Sequence, residues 1–166
     1  MASYANQKSI KINRIKVDNK QSYLHVQKDS LMNAALELNG VSFKLYMYFL
    51  CNKNDFELDF SPQHFVNSFG GTVRSTHDAF EELVKSGYLV PIEGRSKHYN
   101  FFETSVYYAK FNDAMGQEVF YSKSQLIKNF GSAAAEEAWK SSIDADGLYI
   151  MNLDGTYREV NNNGNN

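Results

Sequence analysis

The stretch Ser61–Leu89, "SPQHFVNSFGGTVRSTHDAFEELVKSGYL", decides how the chain is read. Ser61-Pro62 is a helix start with a mechanism. The serine hydroxyl accepts from a free first-turn amide, and proline at the first helical position gives up an amide the helix does not need. The helix "PQHFVNSF" then carries Phe65, Val66 and Phe69 on one side. Gly70 and Gly71 end it, because glycine takes positive φ without strain. A second helix follows, with two candidate starts: Thr72 caps it, or Ser75 does, with Asp78 three residues on as in a capping box. With Thr72 as cap, Val73, Thr76, Ala79, Phe80, Leu83 and Val84 share one face at helical spacing. Thr72, Arg74, Ser75, Asp78, Glu82 and Lys85 then face away, and His77 lies at the margin. Gly87 stops the helix. "YLVPI" and "HYNFFE" read as strands, joined by the glycine-containing loop "EGRSK" as a hairpin.

Upstream, "SIKINRIKV" alternates Ile10, Ile12, Ile15 and Val17 with basic residues, as an edge strand or a basic tail does. "SYLHVQKD" reads as a short strand. Asp29 or Ser30 caps a helix, "LMNAALELNG", that Gly40 ends. Ser42 caps the next, "FKLYMYFLCNK", which is apolar nearly all round and so expected to be buried, with Cys51 in the core. "DFELDF" alternates as an edge strand would. Downstream, "SKSQLIKNFG" reads as a helix capped by Ser122 or Ser124. "SAAAEEAWKSS" reads as another, capped by Ser132. "GLYIMNLDGTYREV" reads as a hairpin in which Asp154 and Gly155 both take positive φ. The end, "NNNGNN", is polar low complexity, expected to be disordered.

The bulk numbers narrow the classes. The chain has 166 residues, which suits one domain, or one domain with a small appendage. Its 11 Tyr, 12 Phe and single Trp make rings the expected packing material, so aromatic residues near cations carry little weight as a nucleic-acid signal. One cysteine precludes an internal disulfide and fits a reducing cytoplasm. No apolar run of about 18 residues predicts a membrane span. The first residues show no apolar signal core, so secretion is not expected. Nothing assembles an active site: the chain has no CxxC, HExxH, GxxxxGK[ST] or GxSxG. The expectation is a non-enzyme with no cofactor and no metal. The net charge of −2 excludes DNA binding by bulk charge alone. Charge is uneven, however: residues 1–29 carry +4, 30–53 carry +1, 54–110 carry −3 and 111–166 carry −4. Any nucleic-acid footprint must be local.

The order helix, short strand, helix, turn, helix, strand, basic loop, strand resembles a winged helix-turn-helix. Residues 22 to about 103 are similar to the N-terminal domains of phage and plasmid replication initiators and related mobile-element regulators. The matching pieces are "YLHVQKDSLMN", "GVSFKLYMYFLCNKNDFELD", "SPQHFVNSFG" and "STHDAFEELVKSGYL". The resemblance implies an α+β fold, a winged helix core with a small C-terminal α/β-hairpin extension, and binding to double-stranded DNA in replication, transfer or regulation. The expected organisation is a basic arm over 1–21, the winged helix over 22–110, a C-terminal interaction segment over 111–160 and a disordered tail over 161–166.

In this reading the second helix of the pair enters the major groove, about 12 Å wide, by its N-terminus. Arg74 donates to guanine O6 and N7, Thr72 and Ser75 reach phosphate or a base edge, and His77 does either. Arg95, Ser96, Lys97 and His98 on the wing hold the backbone or the adjacent minor groove. Lys8, Lys11, Arg14 and Lys16 add phosphate contacts from the arm. Asp78, Glu81 and Glu82 oppose binding, and the acidic total of the chain favours a second reading, a winged helix used as a protein-binding module such as a phage-encoded inhibitor or adaptor. A homodimer, and a protein partner for the acidic C-terminal segment, complete the expected partners.

Overall fold

The structure is a computed structural model that describes residues 8–13, 25–52 and 55–160. The fold is mixed α+β: six helices and three antiparallel two-stranded hairpins among the described residues. In chain order these are α1 (Lys28–Glu37), α2 (Gly40–Leu50), α3 (Pro62–Phe69), α4 (Val73–Lys85), β1 (Leu89–Pro91), β2 (Tyr99–Phe101), β3 (Ala109–Asn112), β4 (Glu118–Tyr121), α5 (Lys123–Phe130), α6 (Ser132–Asp146), β5 (Tyr149–Met151) and β6 (Tyr157–Glu159).

Two hydrophobic cores form. The first gathers Ala34 and Leu38 of α1, Leu45 and Tyr46 of α2, Phe65 of α3, Ala79 and Leu83 of α4, and Tyr88 and Leu89 beyond it. Rings bind its elements together. Tyr48 of α2 meets Phe65 and Phe69 of α3 edge-on, and Phe60 stacks on Phe80 of α4 with centroids 5.6 Å apart. Such pairs add about 0.5–1.5 kcal/mol each beyond the area they bury. The second core gathers Tyr107, Ala109, Leu126, Ile127, Ala135 and Trp139, with Val90 and Val106 packed against it. A backbone pair between Tyr108 and Tyr149, each amide donating 2.9 Å to the other's carbonyl, sets β5 beside the start of β3.

Local chemistry explains most boundaries. The Ser61 hydroxyl accepts from the His64 amide at the start of α3. Thr72 caps α4: its hydroxyl accepts from the Ser75 amide at 3.1 Å, and the Ser75 hydroxyl accepts from the Thr72 amide at 3.2 Å. Ser122 and Gln125 build the same reciprocal cap on α5. At the end of α4 the Tyr88 amide donates to the Leu83 carbonyl and the Gly87 amide to the Val84 carbonyl, the two bonds of a Schellman motif. Gly87 sits at φ 80°, and a Cβ there would lie 2.7 Å from the Tyr107 ring. The position therefore requires glycine for both its φ and its contact.

Several expectations are corrected. Residues 55–60 form no strand: no neighbouring strand pairs with them among the described residues, and the alternation arises because Leu58 and Phe60 turn inward while Phe56 stays 51% exposed. Residues 25–27 are not a strand either, and α1 already begins at Lys28 behind Gln27; residues 22–24 lie outside the described residues. Gly40 opens α2 rather than closing α1. Asn39 caps α2 by accepting from the Ser42 amide, a role its carboxamide oxygen performs as well as a serine hydroxyl would. Cys51 follows α2 and is exposed. Gly131, not Ser132, precedes the first turn of α6. At the last hairpin only Gly155 takes positive φ. The Gly155 amide donates to the Asn152 carbonyl and the Asn152 amide to the Thr156 carbonyl, a three-residue loop in place of the two-residue turn. The β3–β4 hairpin closes in the same way around Gly116.

Candidate nucleic-acid interface

Of the residues singled out on α4 and on the β1–β2 loop, Thr72, Arg74, His77, Arg95, Ser96, Lys97 and His98 are exposed. Gly70 and Gly71, both at positive φ, turn the chain sharply from α3 into α4. Arg74 is the second residue of α4 and is exposed, as is His77. Thr72 is exposed and Ser75 half-buried, but their hydroxyls are committed to the cap described above. Ser75 Oγ also donates to the Thr72 carbonyl at 2.9 Å. Of the first turn, the amides of Val73 and Arg74 have no hydrogen-bond acceptor among the described residues.

The β1–β2 loop hangs on the same helix. Tyr99, the first residue of β2, packs edge-on against Phe80 with centroids 5.1 Å apart. Phe80 lies six residues past Arg74, a rise of about 9 Å along the helix axis. The loop closes through the Ile92 amide to the His98 carbonyl at 2.9 Å and the Arg95 amide to the Ile92 carbonyl at 3.2 Å. Arg95, Ser96, Lys97 and His98 are all exposed at its tip. His98 Nδ1 lies 2.8 Å from the Ser96 carbonyl, which can only accept, so Nδ1 carries the proton and Nε2 is left as the free face of the ring. Lys97 holds φ at 58°, a left-handed conformation that bulky residues rarely adopt.

The surface is small and cationic with acidic neighbours. Arg74, Arg95 and Lys97 have no ion-pair partner among the described residues, whereas Lys110 and Lys123 in the C-terminal half are paired with Glu118 and Asp146 and with Glu136. Asp78 and Glu81 are exposed on α4. Glu82, expected to face away, is instead half-buried. Its carboxylate accepts from the Asn39 side-chain amide and the Ser42 hydroxyl, tying α4 to the first turn of α2. A second expected outward residue, Ser75, is likewise drawn in by its cap.

Lys8 and Lys11 are exposed on the short arm segment 8–13, and no hydrogen bond or ion pair among the described residues joins them to α4 or to the hairpin. Arg14 and Lys16 lie outside the described residues. No group of three or more His, Cys, Asp or Glu side chains is arranged to hold a metal ion among the described residues, and no helix there is long and apolar enough to cross a membrane. No protein-family model, curated protein or solved structure matches the chain.

Proposed function

We propose that this chain is a sequence-specific double-stranded DNA-binding protein built on a winged helix-turn-helix. In this reading α3 and α4 are the helix pair, α4 is the recognition helix and the β1–β2 hairpin is the wing. The observation that carries it is the joint exposure of Arg74, Arg95 and Lys97, with the wing held against the recognition helix by Tyr99 on Phe80. Service to a mobile genetic element, in replication, transfer or regulation, rests on the sequence resemblance alone.

The chemistry follows from what each group has left to offer. Thr72 and Ser75 are occupied by the cap, so base reading falls to Arg74, whose two donors match guanine O6 and N7, and to His77. The amides at the start of α4 that have no acceptor suit a phosphate oxygen, and the positive end of the helix dipole adds to this. Arg95 and Lys97 supply phosphate contacts that fix register without reading sequence. Three cations make few contacts, so binding is salt-sensitive.

A mobility shift with duplex DNA from the protein's own locus tests the proposal. Saturable binding at low salt is expected, weakened in Arg74→Ala by about 1–3 kcal/mol. Absence of saturable binding at low salt would leave the rival, a winged helix that docks a protein. Exposed Asp78 and Glu81 on the outward face of α4 are what favour that rival.

A further inference from the structure

Glu37 ends α1 at the place where the two cores meet, and its side chain is buried. Oε2 accepts from the Tyr88 hydroxyl at 2.7 Å, and Oε1 accepts from the Ser124 amide at 2.9 Å. Tyr88 leads directly into β1, and its carbonyl accepts from the Phe102 amide at the base of the β1–β2 hairpin. Ser124 is the second residue of α5. One carboxyl group therefore links the hairpin base to the C-terminal helices. It also lines a cleft of about 340 Å³ between α1 and α5, so solvent lies next to it. A second bond spans the same joint, from Lys128 Nζ to Asn33 Oδ1 at 2.7 Å.

We propose that Glu37 is a proton-coupled latch: closing the α1–α5 joint takes up a proton at its carboxyl, and opening the joint hydrates the group and releases that proton.

Loss of water on burial is the dominant influence on Glu37 and lifts its pKa above the ordinary carboxylate range. The bonds from Tyr88 and Ser124, and the charge of Lys123, act the other way without cancelling it. The charged and titratable groups around it come from every element of the joint. Asp29 lies on its own helix, Tyr46 on α2, Tyr88 after α4, Tyr108 before β3, and Lys123 and Lys128 on α5. Lys123 is held 2.6 Å from Glu136 and Lys128 by Asn33, and both Tyr46 and Tyr88 are pushed by burial far above the ordinary phenol range. Glu37 is the buried carboxyl of this set and the one bonded across the joint, so its charge is the one that opening would hydrate. Protonation keeps the link to the Ser124 amide and reverses the other: the new O–H donates to the Tyr88 oxygen, and the Tyr88 hydrogen turns to the adjoining cleft that Tyr88 lines. A group whose folded pKa is raised stabilises the closed joint fully below the ordinary carboxylate range, and that contribution is lost as pH rises through the raised value.

Amide hydrogen exchange on the full chain, corrected for intrinsic rates, tests this at about pH 5 and about pH 8. Protection of the Ser124 amide is expected to fall at the higher pH, by up to about tenfold for each pH unit between the ordinary and the raised pKa. In Glu37→Gln the carboxamide can serve both partners without titrating, so protection is expected to be the same at both pH values. Equal pH dependence in the two proteins would overturn the latch. A carboxyl ¹³C titration of Glu37 in the unaltered chain decides the matter should the variant not fold: a raised midpoint supports it, and an ordinary carboxylate midpoint refutes it.

Discussion

The α3/α4 and α5/α6 pairs are built alike. Each joins an eight-residue helix to a longer one through a glycine at positive φ. Each buries one face of the longer helix: Thr76, Ala79 and Leu83 in α4, and Ala135, Trp139 and Ser142 in α6. They differ at the tip. α4 starts from a side-chain cap and exposes Arg74 and His77. α6 starts from Gly131 with no side-chain cap and exposes Glu136 and Glu137. Among the described residues, α4 and not α6 has a basic hairpin loop anchored to its side. A short helix followed through glycine by a longer one is therefore common to both halves of the chain, and what distinguishes a candidate DNA surface is the charge and the adjoining loop. Core packing sets the shape; a few exposed side chains set the chemistry.

The largest expected effect lies in the second pair. Trp139→Ala removes the main ring of the C-terminal core and should cost about 3–5 kcal/mol in urea unfolding. A loss below about 1 kcal/mol would mean that α6 is not packed as described. The caps come next. Thr72→Ala should destabilise by about 1 kcal/mol, because it leaves the Ser75 amide without its acceptor. Ser132→Ala, with no cap bond to lose, should stay within about 0.5 kcal/mol. Equal losses would erase the distinction between the two helix starts. The smallest effect is the most diagnostic. Lys97→Gly relieves a left-handed φ and should stabilise the fold by up to about 1 kcal/mol while weakening duplex binding. A variant that gains stability and binds as before would remove Lys97 from the interface.

Much of this comparison was legible in the residues. Ser61-Pro62, Thr72 and Ser122 announce helix starts because their side chains do the capping, and Gly87 announces an end because only glycine fits there. What the residues hide is tertiary. The Phe56, Leu58, Phe60 alternation looks like a strand, yet a strand needs a neighbour, and Phe60 instead finds Phe49 and Phe80. Glu82 reads as a solvated helix residue, because its partners Asn39 and Ser42 lie about 40 positions earlier. The β3–β4 hairpin carries a weaker turn signal in its residues than the β5–β6 hairpin with its Asp154-Gly155, although Asp113 and Gly116 stand where Asn152 and Gly155 stand. At the candidate interface the residue types were evident. The reciprocal bonding of Thr72 and Ser75 to each other, where either alone was a candidate cap, and the Tyr99–Phe80 contact that brings the hairpin to the helix, were not.

The salt dependence of duplex binding tests the central claim most directly. Each phosphate contact contributes about 0.9 to the slope of log K against log salt. If Arg95 and Lys97 each neutralise one phosphate, the Arg95→Ala/Lys97→Ala double variant should show a slope shallower than the unaltered protein by about 1.8. An identical slope in the two proteins would contradict a DNA interface formed by α4 and the β1–β2 loop.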